Sequence, residues 1–396
     1  MCDVILPCCT LRQRNDDDQA MEESSPLLKD SAVTSSVTPA ATVAAVTEVA
    51  EVAEVAEVAE AEVRKPLIPA LEAECVSECH CELSGSAVWC HKKSQLFWLD
   101  LSKQEVCCFQ PSDGSLTHHS IELGWEGGGL ALRRDGGLVI CSALGIGLVD
   151  HGSLVDGGAK LTPRIICHPV ESEGLDTAKV RLNDGRVDPQ GRLVVGAYHT
   201  AYKDFTDVTG QIMDDKLEDG KDPRGGVYRV SVTNSYIWGP SGQIEMLVGL
   251  GKASVASGTS FSQEEDGQSV MFLVDSPTKR VRCYKYADAL SGESTVTEPQ
   301  FHRGTPSGAC IDSDGGYWTT DCGGGRVQRI KDGVVTLEVL VAAPLVTSCT
   351  FGGPELDTLY ITTASRKDPS PTDVSGGLFA CRVPGQRGVQ ENYFSG

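Results

Sequence analysis

The chain has 396 residues, a net charge of −21, 43 glycines and 6% aromatic residues. The acidic balance excludes nucleic acid and anionic lipid headgroups as partners of a folded body, and no apolar run in the sequence approaches the ~20 residues that span a bilayer. Short apolar runs broken by Asp-Gly and Gly-Gly pairs select many short strands over helices.

Residues 1–70 carry thirteen acids against five bases and no aromatic residue. Passages of Ser, Thr, Ala and Val lead into Glu-Val-Ala triplets over residues 48–63. A period of three drifts around a helix of period 3.6 and builds no apolar stripe, and acids at i,i+3 repel one another. A disordered acidic N-terminal tail is therefore expected. Met1-Cys2-Asp3 lacks a basic n-region and residues 4–6 make too short an apolar core before Pro7, so the expected setting is cytoplasmic with free thiols. The alternative is membrane association of a lipidated tail through Cys2, Cys8 and Cys9, helped by the acidic dileucine-like Glu23-Ser24-Ser25-Pro26-Leu27-Leu28. Next along the chain, Cys75, Cys79, Cys81 and Cys90, with His80 and His91 among them, offer zinc ligands. Their spacing holds no CxxC pair, and buried thiols are the expectation.

From about residue 70 a repeat sets in: an Asp-x-x-Gly or Asp-Gly-Gly turn, a short apolar strand, a second turn and another strand. Its anchors are Leu96-Phe97-Trp98, Leu138-Val139-Ile140, Leu193-Val194-Val195, Phe272-Leu273-Val274, Tyr317-Trp318-Thr319 and Leu359-Tyr360-Ile361. They recur about every 42 to 55 residues, except for about 79 between the third and fourth, where the polar stretch 202–224 reads as an inserted loop. Units of this length with four short strands are propeller blades. The expectation is an all-β, six-bladed β-propeller over residues 71–390. His118-His119 is expected in an exposed polar connection, Gly127-Gly128-Gly129 and Gly323-Gly324-Gly325 in blade turns, and the C-terminal Glu391-Asn392-Tyr393-Phe394-Ser395-Gly396 carries no signal.

Within the third unit, Arg181-Leu182-Asn183-Asp184-Gly185-Arg186-Val187-Asp188-Pro189-Gln190-Gly191-Arg192 precedes the apolar Leu193-Val194-Val195-Gly196. Asn-Asp-Gly and Asp-Pro-x-Gly are turn chemistry, so a polar loop mounted on a strand is expected, where all-β proteins keep their sites.

That stretch, with Phe261-Ser262, Val274-Asp275-Ser276, Gly308-Ala309-Cys310-Ile311-Asp312, Gly324-Gly325-Arg326-Val327 and Thr347-Ser348-Cys349-Thr350-Phe351-Gly352-Gly353, resembles the senescence-marker-protein/gluconolactonase/luciferin-regenerating-enzyme family in its regucalcin-like members. The resemblance spans about residues 72 to 385. It implies a six-bladed propeller that hydrolyses sugar lactones or related esters with one divalent cation in the channel: calcium, magnesium, manganese or zinc. It also implies a Glu, an Asn and an Asp as cation ligands, and those positions fall on Gly85, Ser257 and Ser307. Arg181 and Asn183 match the residues that hydrogen-bond the substrate. Ala201 stands where a substrate-side Glu is implied, with Tyr198 and His199 as new polar neighbours.

A glycine and two neutral hydroxyls supply little for a divalent cation. The favoured expectation is thus a divergent channel that binds a small polar ligand or lactone through Arg181 and Asn183, with the metal site lost. Two alternatives stay open. One is the metal-dependent lactone or ester hydrolase implied by the resemblance. The other is a metal-free hydrolase in which His199 is the base, Ser257 or Ser307 the nucleophile and Asp204 the orienting acid.

Overall fold

The computed structural model describes residues 68–124, 128–155, 160–200, 227–235, 239–248, 255–264, 266–287, 290–296, 301, 304–366, 370 and 372–396. The stretch 202–224, and all but the last residues of the tail expected over 1–70, lie outside them.

Six sheets form a β-propeller. Before the first blade run β1 (Ala70–Glu72) and β2 (Glu74–Ser77). Blade 1 is β3 (Ser84–Cys90), β4 (Gln95–Asp100), β5 (Glu105–Gln110) and β6 (Ser115–Ser120), and blade 2 is β7 (Gly129–Leu132), β8 (Leu138–Ser142), β9 (Gly145–Val149) and β10 (Arg164–Cys167). Blade 3 holds β11 (Val180–Val187), β12 (Leu193–His199), β13 (Val227–Ser235) and β14 (Gly239–Val248), and blade 4 holds β15 (Ala256–Gln263), β16 (Ser269–Asp275), β17 (Arg280–Lys285) and β18 (Ser291–Val296). Blade 5 is β19 (Thr305–Ile311), β20 (Tyr317–Cys322), β21 (Arg326–Lys331) and β22 (Val334–Leu340), with β1 parallel on its outer edge. Blade 6 is β23 (Val346–Gly352), β24 (Thr358–Thr363) and β25 (Leu378–Arg382), completed by β2 antiparallel to β25. The N-terminal strand thus closes the ring and removes an open edge.

The sequence repeat has a physical cause. Every anchor lies on the second strand of its blade and, apart from the half-buried Phe272, is buried on both faces, which is why the anchors read as mostly apolar runs. The Asp-x-x-Gly turns are built alike. Asp188 Oδ1 accepts from the N–H of Gln190 and Arg192 while Gly191 takes φ +81°; Asp312 Oδ1 accepts from the N–H of Asp314 and Gly316, and Gly315 takes φ +76°. Neighbouring blades meet through aromatic pairs. Trp89 stacks on Tyr360 at 5.7 Å between blades 1 and 6, Phe272 on Tyr317 at 5.1 Å between blades 4 and 5, and Trp318 meets Phe351 edge-on at 5.2 Å between blades 5 and 6. Each such pair adds ~0.5–1.5 kcal/mol beyond the area it buries.

One expectation changes. Arg181 to Val187 is the inner strand of blade 3 rather than a loop, with a register shift between Leu182 and Gly185; only residues 188–191 form the turn. The bulge gives Asn and Asp a place inside a strand. Among the described residues, no helix is long and apolar enough to cross a membrane.

Asp321, 0% exposed at the end of β20, faces Arg326 Nε at 3.3 Å. Burial pushes its carboxyl up to about 6, against the pull of Arg326 and Lys279. A carboxyl with a folded pKa above its unfolded value binds its proton more tightly in the native state. Its contribution is complete below pH ~4 and is lost as pH rises through 6. Urea unfolding of Asp321→Asn should therefore lack a fall in stability on the order of 3 kcal/mol between pH 4 and 6 that the parent shows. Equal slopes in the two proteins would contradict this.

Candidate functional site

The inner strands β3, β7, β11, β15, β19 and β23 line the channel, and five of them break register near their starts. The shifts fall between Gly85 and Val88, Leu182 and Gly185, Ser257 and Ser260, Pro306 and Ala309, and Val346 and Ser348. A bulge leaves a residue outside the ladder and re-aims its side chain, and bulges recur beside sites. Here they occupy equivalent levels of blades 1 and 3 to 6 and gather polar residues at one end of the channel.

Hydrogen bonds tie this ring together. Ser86 Oγ of blade 1 donates to Asp184 Oδ1 of blade 3 at 2.7 Å. Asn183 Nδ2 donates to the Ala256 carbonyl of blade 4 at 2.9 Å, next to Ser257. The Tyr317 hydroxyl of blade 5 donates to the Gly258 carbonyl at 2.6 Å, and the Ala87 N–H donates to Ser348 Oγ of blade 6 at 3.2 Å. Burial holds the Tyr317 phenol well above its ordinary pKa, so it remains a neutral donor. Gly258 adopts φ +57°, and a Cβ there would lie 2.6 Å from the Ser307 carbonyl oxygen and 2.7 Å from the Tyr317 hydroxyl. Only glycine allows this approach of blades 4 and 5.

The residues singled out in the sequence are distributed as follows. Arg181 and Asn183 are half-buried on β11. Gly85 is half-buried at the second position of β3, and Ser257 and Ser307 are buried on β15 and β19. The structure brings Asn183, Ser257 and Ser307 onto successive blades, with the Asn183 side chain bonded to the carbonyl before Ser257 and Gly258 packed against the Ser307 carbonyl. His199 ends β12 opposite Val180, one step beyond the Arg181–Tyr198 pair, and Tyr198 bridges Val255 two residues before Ser257. Asp204 lies outside the described residues. Ser86 and Asp184, which join blades 1 and 3 past blade 2, escaped sequence reasoning; each stands beside a position that the motifs had marked.

The N-terminal cysteines do not gather into one cluster. Cys75 Sγ donates to Ser77 O at 3.6 Å, Cys79 Sγ to Gly376 O at 3.1 Å, and Cys90 Sγ lies 4.0 Å from the Tyr393 hydroxyl, while His80 and His91 are exposed. Cys79, Cys81 and Cys90 are buried thiols, as expected.

The far end of the channel is covered by the C-terminal residues, for which the sequence offered no reading. Val389 N–H donates to Ile311 O, Asn392 Nδ2 to Val187 O, Phe394 N–H to Leu132 O and Gly388 N–H to Leu356 O, and Lys92 Nζ sits 4.5 Å over the Tyr393 ring. Five blades are thereby touched by one segment. Glu391 pairs with Arg186, whose guanidinium also donates to Ala309 O. A cavity of about 40 Å³ remains there, lined by Arg186, Ser260, Cys310, Thr350 and Glu391 among others. It holds water-sized molecules, and a larger cavity of about 430 Å³ lies against the same segment, lined by Lys92, Arg134, Gly191 and Tyr393 among others.

The profile of the SMP-30/Gluconolactonase/LRE-like region matches residues 83–365. The 6-deoxy-6-sulfogluconolactonase of Pseudomonas putida is 30% identical, over 82% of this chain and 98% of its own. The regucalcin of Xenopus laevis is 25% identical, over 83% and 99% respectively. The crystal structure of a calcium-binding protein, regucalcin, from Agrobacterium tumefaciens superposes with a TM-score of 0.65 at 20% identity, covering 83% of this chain and 99% of that one.

Proposed function

The chain belongs to the SMP-30/gluconolactonase/LRE-like family, and from that premise we propose that the bulged end of its channel binds a small polyhydroxylated ligand, a sugar acid or its lactone, without the cation implied by the resemblance. The observation that carries this reading is the neutrality of Gly85, Ser257 and Ser307 where they meet the ring of inner-strand bulges. Calcium and magnesium require several oxygens with compensating charge. A glycine supplies none and two hydroxyls supply no charge, while the ring carboxylate Asp184 already accepts a hydrogen bond from Ser86. The donor set does not fit the divalent cation.

What remains suits hydroxyls and a carboxylate. The planar fork of Arg181 matches a carboxylate or vicinal hydroxyls, Asn183 both donates and accepts, and Ser86, Ser257 and Ser307 add rotatable hydroxyls. The lactone named for the Pseudomonas relative supports this substrate class. A cytoplasmic setting fits the free thiols that make up all but one of the described cysteines; the exception to the expected free thiols is Cys322, which is disulfide-bonded.

Calorimetry with D-gluconate and glucono-δ-lactone tests the proposal. Binding should be the same in EDTA and in calcium, and Arg181→Ala should weaken it tenfold or more, the loss of a charge-assisted hydrogen bond of ~1.5–3 kcal/mol. Stoichiometric calcium together with EDTA-sensitive lactone hydrolysis would overturn it.

A second reading, hydrolysis without a metal, is favoured by one feature: the Tyr198–Val255 bridge sets the strand end that carries His199 beside the start of β15. In that reading His199 takes the proton of Ser257, or of Ser307, as its oxygen attacks the lactone carbonyl, the ring C–O bond breaks with that proton passing to the ring oxygen, and water then cleaves the acyl-serine to release the hydroxy acid. Hydrolysis that persists in EDTA and disappears in both His199→Ala and Ser257→Ala would select it.

A further inference from the structure

We propose that Glu105, Cys107 and His118 form a zinc site between the outer strands of blade 1, separate from the channel. Glu105 and Cys107 are two apart on β5 and share a face of the sheet, and His118 on β6 is the direct cross-strand partner of Cys107. His118 Nδ1 lies 3.5 Å from Cys107 Sγ and 3.0 Å from Glu105 Oε2, and the three ligand atoms all fall within 4.8 Å of one another. Tetrahedral zinc, with bonds of ~2.3 Å to sulfur and ~2.0–2.1 Å to nitrogen and oxygen, sets its ligand atoms ~3.3–3.6 Å apart. The sulfur–nitrogen and nitrogen–oxygen edges are already close to those lengths, so an ion can enter by rotamer adjustment with the strands in place.

The chemistry of the set selects the metal. One thiolate, one imidazole and one carboxylate suit zinc and its transition-metal neighbours, whereas calcium and magnesium prefer oxygen alone. Cys107 is 0% exposed, but the side chains of His118 and Glu105 are 36% and 28% exposed. The thiol forms a closed floor, the other two ligands reach solvent, and the fourth position falls to water. Beneath the floor, the Cys81 sulfur accepts from Trp98 Nε1 at 3.4 Å. The exposed connection expected for His118-His119 is thus a strand, β6, with His118 turned toward β5 and His119 buried. A bound ion would cross-link β5 to the outermost strand of its blade.

The test titrates Co²⁺, then Zn²⁺, into the full-length chain freed of metal with a chelator. One equivalent of Co²⁺ should produce tetrahedral visible bands and a thiolate-to-cobalt band in the near ultraviolet, which Zn²⁺ then removes. Affinity should fall about 100-fold or more in His118→Ala, beyond the 10–100-fold that outer-layer partners cost, and clearly in Glu105→Gln. The thiolate band should vanish in Cys107→Ser and persist in a Cys2→Ser, Cys8→Ser, Cys9→Ser triple variant. Since Cys107 is buried, its variant could fold poorly; His118→Ala and Glu105→Gln, at the exposed rim, decide the matter in that event. Absence of the band, or a band of undiminished affinity in His118→Ala, would overturn the site. The result is independent of the channel reading, because Gly85, Ser257 and Ser307 carry no thiol.

Discussion

If the channel lacks a divalent cation as proposed, the triple substitution Gly85→Glu, Ser257→Asn, Ser307→Asp is expected to confer calcium binding with a Kd of ~10⁻⁶–10⁻⁴ M, and with it EDTA-sensitive lactone hydrolysis. These are the ligand types that the family resemblance implies, and the scaffold has room for them. An added Cβ at Gly85 meets only Leu101 Cδ1, at 3.5 Å, an ordinary van der Waals contact. Ser257 and Ser307 already stand at the bulges of adjacent blades 4 and 5, and the tight approach at Gly258 is left untouched. Two carboxylates balance the charge of the cation and the amide completes the set, so each single substitution should do little. Once held, the cation would supply Lewis-acid polarisation of the carbonyl; Arg181 and Asn183 would still orient the substrate. Calorimetry with Ca²⁺ and a coupled proton-release assay read both effects. Failure of the triple variant to bind calcium would mean that the three positions do not face a common point, and the proposed explanation for the divergent channel would fall with it.

Glu391→Ala is expected to lower unfolding stability by about 3–5 kcal/mol, the usual consequence of leaving one member of a buried ion pair alone. The side chains of Arg186 and Glu391 are 8% and 14% exposed, and Thr350 Oγ1 also donates to the Glu391 carboxylate at 3.4 Å. Burial raises the Glu391 carboxyl above its ordinary pKa although the Arg186 guanidinium opposes the shift. On the carboxylate desolvation outweighs attraction, whereas on Arg186 burial is overcome by the attraction of Glu391 and nearby acids, which holds the guanidinium above its ordinary value. The carboxylate, whose charge is the one burial can remove, decides the balance, and the pair is expected to act by fixing where the C-terminal segment crosses the strand ends more than by net stabilisation. It follows that Arg186→Met with Glu391→Leu, which removes both charges and keeps the volume, should recover most of the loss. Urea midpoints of the parent, the single and the double variant measure this. A double variant as unstable as the single would show that the pair itself is strongly favourable.

The two expectations differ in how legible they were. Gly85, Ser257 and Ser307 are readable because each is framed by residues that hold a strand in place, Val88-Trp89, Phe261-Ser262 and Cys310-Ile311-Asp312. Local anchoring locates a substituted position even when its side chain has changed. Glu391 had no such frame. Its meaning depends on Arg186, 205 residues away, and short terminal segments carry no periodicity.

The number of blades, their order and the turns between them are determined by the sequence itself, because the anchors and turns that mark each blade rest on local contacts; among the described strands only β1 and the closing strand β2 pair with distant ones, β22 and β25. Apolar triplets such as Leu193-Val194-Val195 are buried on both faces wherever the blade is placed. Asp188 and Asp312 close their own turns with neighbouring amides. Tertiary structure alone decided the rest. It turned Arg181 to Val187 from an apparent loop into a bulged inner strand, set Ser86 against Asp184 across the channel, drew the last residues over five blades, and faced His118 toward Glu105 and Cys107. Each of these depends on strand register or on ring closure, where one residue of slip reverses every side chain. Local composition does not encode that choice, and only the packing of all six blades against one another makes it.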